Sequence, residues 1–228
     1  MRYKAVFFDR DGTLVMNDPE WEQLRVTKLE EWSGRPFDTS DDFFMRVFLK
    51  VMNGGFPFAP YRNVRQELAF FRQWYLYAFE ELGITEKAHE RADYLVDRLW
   101  YLKKKLYPET LDVLKYFKDS GYKMGVISDC PPSLELTLQN CGIHGYFTSF
   151  TASSLVGAGK PNPKIFNAAL NAQAVTAEES LYVDDCDEEA DGARAQGFTA
   201  FNLHRNDERK HEWCISKLTQ IVEFIKGN

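Results

Sequence analysis

Two aspartates one residue apart close an apolar run in VFFDRDGTLV, residues 6–15: Asp9 and Asp11, followed by Gly12 and Thr13. A second acidic pair, Asp184 and Asp185, ends SLYVDD, and Ser128 ends KMGVIS. At the end of a strand, residues i and i+2 point the same way, so Asp9 and Asp11 can face one reacting group. Gly12 suits a sharp exit turn. Carboxylates converging from separate strand ends repel and raise one another's pKa unless something positive lies between them. A hard divalent cation resolves this. Mg²⁺ takes oxygen ligands, usually one or two of them carboxylates, and keeps positions for water and a phosphate. A phosphate adds negative charge, so such a site also needs a cationic side chain. Lys160 in GAGKPNP, at the start of a helix, is placed to supply it, and a helix N-terminus itself favours an anion.

The elements that must position these residues follow from periodicity. From residue 108 onward helices and strands alternate: PETLDVLKYFKDSG is a helix closed by Gly121, KMGVIS a buried strand, and PPSLELTLQNCG a helix with proline at its start and glycine at its end. YFTSFTASS, SLYVDD and FTAFNL read as strands, NPKIFNAALNA and EEADGARAQG as helices, and residues 211–226 as a closing helix. KAVFFD, residues 4–9, is one more strand. This alternation implies right-handed crossovers and a Rossmann-like, doubly wound, mainly parallel α/β sheet. Ligands of such sheets bind outside the carboxyl ends of the strands, where Asp9, Ser128, Asp184 and Asp185 lie. Between residues 15 and 105 no strand is evident. LRVTKLEEW, DDFFMRVFLKVM, VRQELAFFRQWYLYAFEEL and KAHERADYLVDRLWYLKKK carry apolar residues at helical spacing, and NGGFPFAPYRN, residues 53–63, is the irregular loop among them. The expected organisation is therefore an α/β core of residues 1–14 and 106–228, interrupted after its first strand by an all-helical insertion of residues 15–105.

Four short motifs in this order resemble those of the haloacid dehalogenase superfamily of phosphotransferases and phosphatases. Asp9, Arg10, Asp11, Gly12 and Thr13 resemble its hhhDxDGT motif, and VIS its strand ending in a hydroxyl. Lys160 in GKPNPKIF resembles its lysine before a proline, and YVDDCDEEADGARAQG its acidic strand end followed by a helix. The resemblance covers residues 1–14 and about 106–205. The insertion sits where the superfamily often carries a helical cap. By position the resemblance implies that Asp9 is the nucleophile, forming an aspartyl-phosphate. It implies that Asp11 protonates the leaving oxygen and later deprotonates the attacking water. Mg²⁺ is then held by Asp9, the backbone carbonyl of Asp11 and Asp185, with Asp184 or Glu189 as alternatives for a further metal acid, while Ser128 and Lys160 bind phosphoryl oxygens. Two features depart from the family pattern: Asp129 stands where an asparagine is common, and the fourth motif begins with two adjacent acids. Arg10 in DRDGT is similar to small capless phosphatases, a branch that lacks so long an insertion.

The implied activity is a Mg²⁺-dependent phosphatase of a small phosphorylated metabolite, with specificity residing in the cap. A sugar-phosphate mutase uses the same core motifs. A non-catalytic binding module, using the cap as a partner surface, has no reason to keep Asp9, Asp11, Ser128, Lys160 and Asp185 together. A dehalogenase lacks the acid at position 11, because halide leaves without a proton. Taken alone, DRDG is a turn signal, Lys160 a surface lysine, and the Asp184–Asp185 pair a helix cap. Trp21, Trp32, Trp74, Tyr75, Tyr77 and Trp100 read as the core of the insertion, Arg62 and Arg65 as solvated charges, and His89, His144, His204 and His211 as ordinary histidines.

Composition narrows the partners. A net charge of -6 and pI of about 5.4 give no basic footprint for nucleic acid or an anionic membrane. The runs KKK, residues 103–105, and RNDERKH, residues 205–211, read as solvated faces. No apolar segment approaches the ~18 residues of a membrane span. Cys130, Cys141, Cys186 and Cys214 show no metal-binding or disulfide spacing. A soluble, cytoplasmic monomer or homodimer is the expectation.

Overall fold

The computed structural model describes residues 2–37, 41–53, 62–98, 103–205 and 213–227. Strands β1 (Ala5–Phe8) and β2 (Val15–Asn17) lead into four helices, α1 (Pro19–Ser33), α2 (Asp41–Asn53), α3 (Val64–Leu82) and α4 (Ala88–Val96). The chain returns through β3 (Lys104–Leu106) and then runs α5 (Thr110–Asp119), β4 (Lys123–Ser128), α6 (Leu134–Asn140), β5 (Ser149–Ala152), α7 (Ser153–Val156) and α8 (Pro163–Gln173). It closes with β6 (Ser180–Asp184), α9 (Asp187–Ala195), β7 (Thr199–Leu203), β8 (Cys214–Ile215) and α10 (Gln220–Gly227). Two compact units result, Met1–Met16 with Lys104–Asn228, and Asn17–Lys103.

The first unit is built on a six-stranded sheet in the order β5-β4-β1-β6-β7-β8, with every neighbouring pair parallel. A parallel sheet covered on both faces needs continuous apolar strands, not alternating ones. β1 is the extreme case: AVFF is wholly buried. Val6 and Phe8 enter one core with Phe117, Val126 and Leu181, while Ala5 and Phe7 enter the other with Phe166 and Tyr182. Each buried phenylalanine contributes about 1.5–3 kcal/mol. The chain winds outward from β1 through β4 and β5 on one side and through β6, β7 and β8 on the other. The carboxyl end of β1 is therefore the switch point of the sheet.

The second unit is helical. Asp18 caps α1, accepting from the Glu20 N–H, with Pro19 in the first turn and Gly34 in the left-handed conformation at its end. Asn63 caps α3 by accepting from the Gln66 N–H. Phe43, Val47, Phe70, Trp74, Tyr75 and Phe79 form its core, with Trp32 and Tyr77 packed against them. Trp21 is also buried. A cavity of about 1020 Å³ opens in this unit, walled by Val26, Phe44, Phe48, Phe71 and Trp74, with Arg25 at its polar edge. Phe44 stacks on Trp74 at 5.6 Å and lies under the Arg25 guanidinium at 4.5 Å.

Three expectations need correction. Val15–Asn17 and Lys104–Leu106 are strands, pairing into a two-stranded ribbon where the chain leaves and re-enters the core. The closing helix is short: Cys214–Ile215 is an edge strand, anchored by the Asn202 N–H on Trp213 O (2.9 Å) and the His204 N–H on Ile215 O (2.8 Å), and only Gln220–Gly227 is helical. The Gln220 side chain accepts from the Ser216 and Lys217 N–H groups and so starts the helix there. α4 ends at Val96, well before the end of the periodic run that predicts it. Trp100, His211 and residues 54–61 of the irregular loop lie outside the described residues.

Candidate active site

Asp9 is the first residue past β1 and continues its ladder, its N–H donating to Val183 O (2.9 Å). Because β1 lies between β4 and β6, Asp9 stands opposite Asp184 and one residue short of Ser128, the last residues of those strands. All three are buried, and so is Lys160. Lys160 Nζ is the hub of the group, 2.8 Å from Asp9 Oδ1, 2.7 Å from Asp184 Oδ2 and 2.5 Å from Glu189 Oε2. Burial works against the ammonium, but Asp9, Tyr182, Asp184 and Glu189 outweigh it and hold Lys160 well above the usual lysine range.

One lysine does not neutralise this many acids. Burial, with Asp184 adding to it and Lys160 opposing, pushes Asp9 up to about 8. Glu189, in the first turn of α9, rises to about 7, again through burial first. Oxygen atoms of Asp9, Asp184 and Asp185 lie within 4.8 Å of one another. A hard-oxygen cluster with surplus negative charge fits Mg²⁺. Within it Asp184 already has partners: Oδ2 accepts from Lys160 Nζ and the Tyr182 hydroxyl, and Oδ1 from the Cys186 N–H (2.9 Å). Asp185 lies at the solvent edge, its carboxyl raised by desolvation first and by Asp184 second.

Asp11 sits in the turn after Asp9, and its carboxylate lies outside that oxygen cluster. It pairs with Arg10 Nη2 (2.6 Å) and Lys104 Nζ (3.0 Å), cations whose side chains are almost wholly buried. Burial raises the Asp11 carboxyl, but Arg10 and Lys104 outweigh it and leave the group below the ordinary aspartate range. Gly12 has φ +76°, and a Cβ there meets Asp185 Oδ2 at 1.9 Å, so the turn needs glycine on two counts.

Asp129 turns out to have a structural task. Its two oxygens accept from the Lys160 N–H at 3.0 Å each, so this acid fixes the backbone of the lysine. Gly159 leaves room for it, since a Cβ there comes 2.9 Å from Asp129 Oδ2. Asn162 then caps α8 through the Lys164 N–H, with Pro163 in the first turn. Ser128 has Cys130 beside it as a hydrogen-bond partner, and burial pushes that thiol up to about 11.

Three residues that matter here escaped the sequence reading. Lys104 belongs to the KKK run read as solvated, yet its side chain is 2% exposed and holds Asp11. Arg205, in the run read as a solvated face, is 17% exposed and bonds the turn that follows Asp11. Tyr182 supports Asp184 from two residues earlier on the same strand. Tyr182 carries a recognisable signal, its place two residues before Asp184 on one strand; Lys104 and Arg205 carry none. Arg62 and Arg65 are exposed.

The haloacid dehalogenase-like hydrolase family model matches residues 3–197. The chain belongs to that family. Across its full length it is 27% identical, over 242 aligned positions, to the phosphatase MT3486 of Mycobacterium tuberculosis, covering 99% of that protein. It is 34% identical over 133 positions to the glyceraldehyde 3-phosphate phosphatase of Methanopyrus kandleri, where the match spans 54% of this chain and 57% of the relative. The crystal structure of a haloacid dehalogenase-type phosphatase from Thermococcus onnurineus superposes with a TM-score of 0.67 at 26% identity, covering 99% of both chains. Among the described residues no helix is long and apolar enough to cross a membrane.

Proposed function

We propose that this hydrolase cleaves the phosphate monoester of a small metabolite through an aspartyl-phosphate on Asp9. The observation that carries the reading is the buried Lys160 ammonium bonded at once to Asp9 and Asp184, beside the Asp9–Asp184–Asp185 oxygen cluster. Asp9 attacks phosphorus and the ester oxygen leaves, taking a proton from Asp11, which must first part from Arg10 and Lys104 and be protonated to act as the acid. In the second step Asp11 takes a proton from water as that water attacks the phosphoryl group, which restores the Asp9 carboxylate and releases phosphate. Ser128 and Lys160 hold the phosphoryl oxygens. Asp9, the Asp11 carbonyl and Asp185 would hold Mg²⁺, which when bound would supply positive charge against the phosphoryl oxygens and keep Asp9 ionised. Asp184 orients Lys160 in this scheme, because its own oxygens are occupied.

Asp11 argues for ester hydrolysis and against halide release, since an alkoxide needs a proton and a halide does not. Relatives named as glyceraldehyde 3-phosphate phosphatases and a phosphoserine phosphatase from Thermus thermophilus support a small phosphorylated substrate. Selectivity is assigned to the inserted helices, residues 15–105. The test is hydrolysis of p-nitrophenyl phosphate, glyceraldehyde 3-phosphate and phosphoserine, with and without Mg²⁺. Turnover that needs Mg²⁺ and disappears in Asp9→Asn supports the proposal. Turnover that survives either change defeats it.

A further inference from the structure

Arg205 follows β7 and reaches the turn that carries Asp11. Its guanidinium donates from Nε to Gly12 O (3.0 Å), from Nη2 to Thr13 O (2.7 Å) and from Nη1 to Glu109 Oε1 (2.5 Å). It also lies over the Tyr107 ring, 3.5 Å from the centroid. Glu109 is held in turn by the Leu218 N–H (3.4 Å), and the Tyr107 N–H donates to Leu14 O (3.2 Å). Within the turn itself the Gly12 N–H donates to Val15 O (2.9 Å), and the Leu14 and Val15 N–H groups donate to Arg10 O (2.9 and 3.0 Å). Internal bonds thus use the N–H groups, and Arg205 takes two successive carbonyls.

That division of labour needs a planar fork. A guanidinium presents rigidly spaced donors, whereas a lysine offers one compact charge. The Gly12 carbonyl belongs to the Gly12–Thr13 peptide, the second after Asp11, while the Asp11–Gly12 peptide is held by its own N–H on Val15 O, and the Gly12 Cα abuts the Asp185 carboxylate. Fixing the Gly12 and Thr13 carbonyls therefore fixes the turn from which the Asp11 side chain departs. We propose that Arg205 is a positioning residue for the reaction, aiming the Asp11 carboxyl at the leaving oxygen by clamping the turn that follows it. This rests on the phosphatase reading of the site.

The competing role is a plain brace between the end of β7 and the rest of the fold. Leaving-group dependence separates the two. A p-nitrophenolate leaves without a proton, whereas an alkoxide needs one, and general acid catalysis is worth about 10²–10⁴-fold. In Arg205→Met, kcat on an alkyl phosphate that the wild type hydrolyses is expected to fall at least about tenfold further than kcat on p-nitrophenyl phosphate, with KM moving less than about twofold. Arg205→Lys is expected to recover little of this, and free guanidinium ion to restore part of the activity of Arg205→Ala. Equal losses on both esters, or no loss on either, overturn the proposal. Hydrogen exchange at the Leu14 and Val15 amides is a readout independent of turnover. Exchange faster by about tenfold in Arg205→Met at an unchanged melting temperature supports the clamp, and unchanged exchange overturns it. A wild type inactive on every ester sinks the phosphatase reading instead, and hydrogen exchange still decides the clamp.

Discussion

Replacing Lys160 by methionine keeps most of the volume of the side chain and removes its charge. Its ammonium touches Asp9, Asp184 and Glu189, and the first two pairs are almost fully buried. Removing one partner of a buried ion pair costs about 3–5 kcal/mol, a large share of a typical stability of about 5–15 kcal/mol. The cost depends on pH with a definite sign. Asp9 and Glu189 already stand at about 8 and about 7 with Lys160 present, and losing the cation drives both higher. A carboxyl whose folded pKa lies above its unfolded value loses stability as pH rises toward the folded pKa, because the folded state holds the proton more tightly. The variant is therefore expected to lose about 3–5 kcal/mol at about pH 6, where Asp9 and Glu189 are protonated in each protein and the buried Asp184 pair is the one broken, and a further ~1–2 kcal/mol at about pH 9. Urea unfolding of both proteins at the two pH values measures this directly. A loss below about 1 kcal/mol at the higher pH, or one that does not change with pH, refutes the hub role of Lys160.

Gly12→Ala is expected to cost about 1–2 kcal/mol from its left-handed backbone alone, and to weaken Mg²⁺ binding about 10–100-fold by displacing Asp185. Titration calorimetry giving an unchanged affinity counts against Asp185 as a ligand. Since a metal-bound Asp9 must be ionised and its carboxyl stands at about 8 without the ion, Mg²⁺ affinity is expected to rise roughly 50-fold from about pH 6 to about pH 8 and to level off above that. A flat profile, or no proton released on binding, contradicts the placement of the ion at Asp9.

Much of the site was legible because its residues stand at strand ends. Asp9, Ser128 and Asp184 close buried apolar runs, and a charged or hydroxyl residue at such a place has few structural excuses. Lys160 was legible from the helix start that follows it. Arg205 and Lys104 were not, because a short charge run has the composition of a solvated surface, and the distant partners that bury these cations are invisible in one sequence. Asp129, where the family commonly has asparagine, is explained by a backbone partner that spacing does not report, the Lys160 N–H. The short ribbon of β2 and β3 lacks the length for a periodic signal, and Cys214–Ile215 is a strand only because β7 lies beside it. The proposed part of Asp184, orienting Lys160 rather than holding the metal, rests on hydrogen bonds made by Tyr182 and the Cys186 N–H, which no spacing reports.

Asp9 is the group proposed to take the phosphoryl. Rapid acid quench of the wild-type enzyme with a ³²P-labelled ester and Mg²⁺, followed by peptide mapping, tests this most directly. The expected result is label on the peptide carrying Asp9, absent without Mg²⁺, absent in Asp9→Asn, and longer-lived in Asp11→Asn because the attacking water then lacks its base. Label on any other residue, or full turnover by Asp9→Asn, contradicts the mechanism.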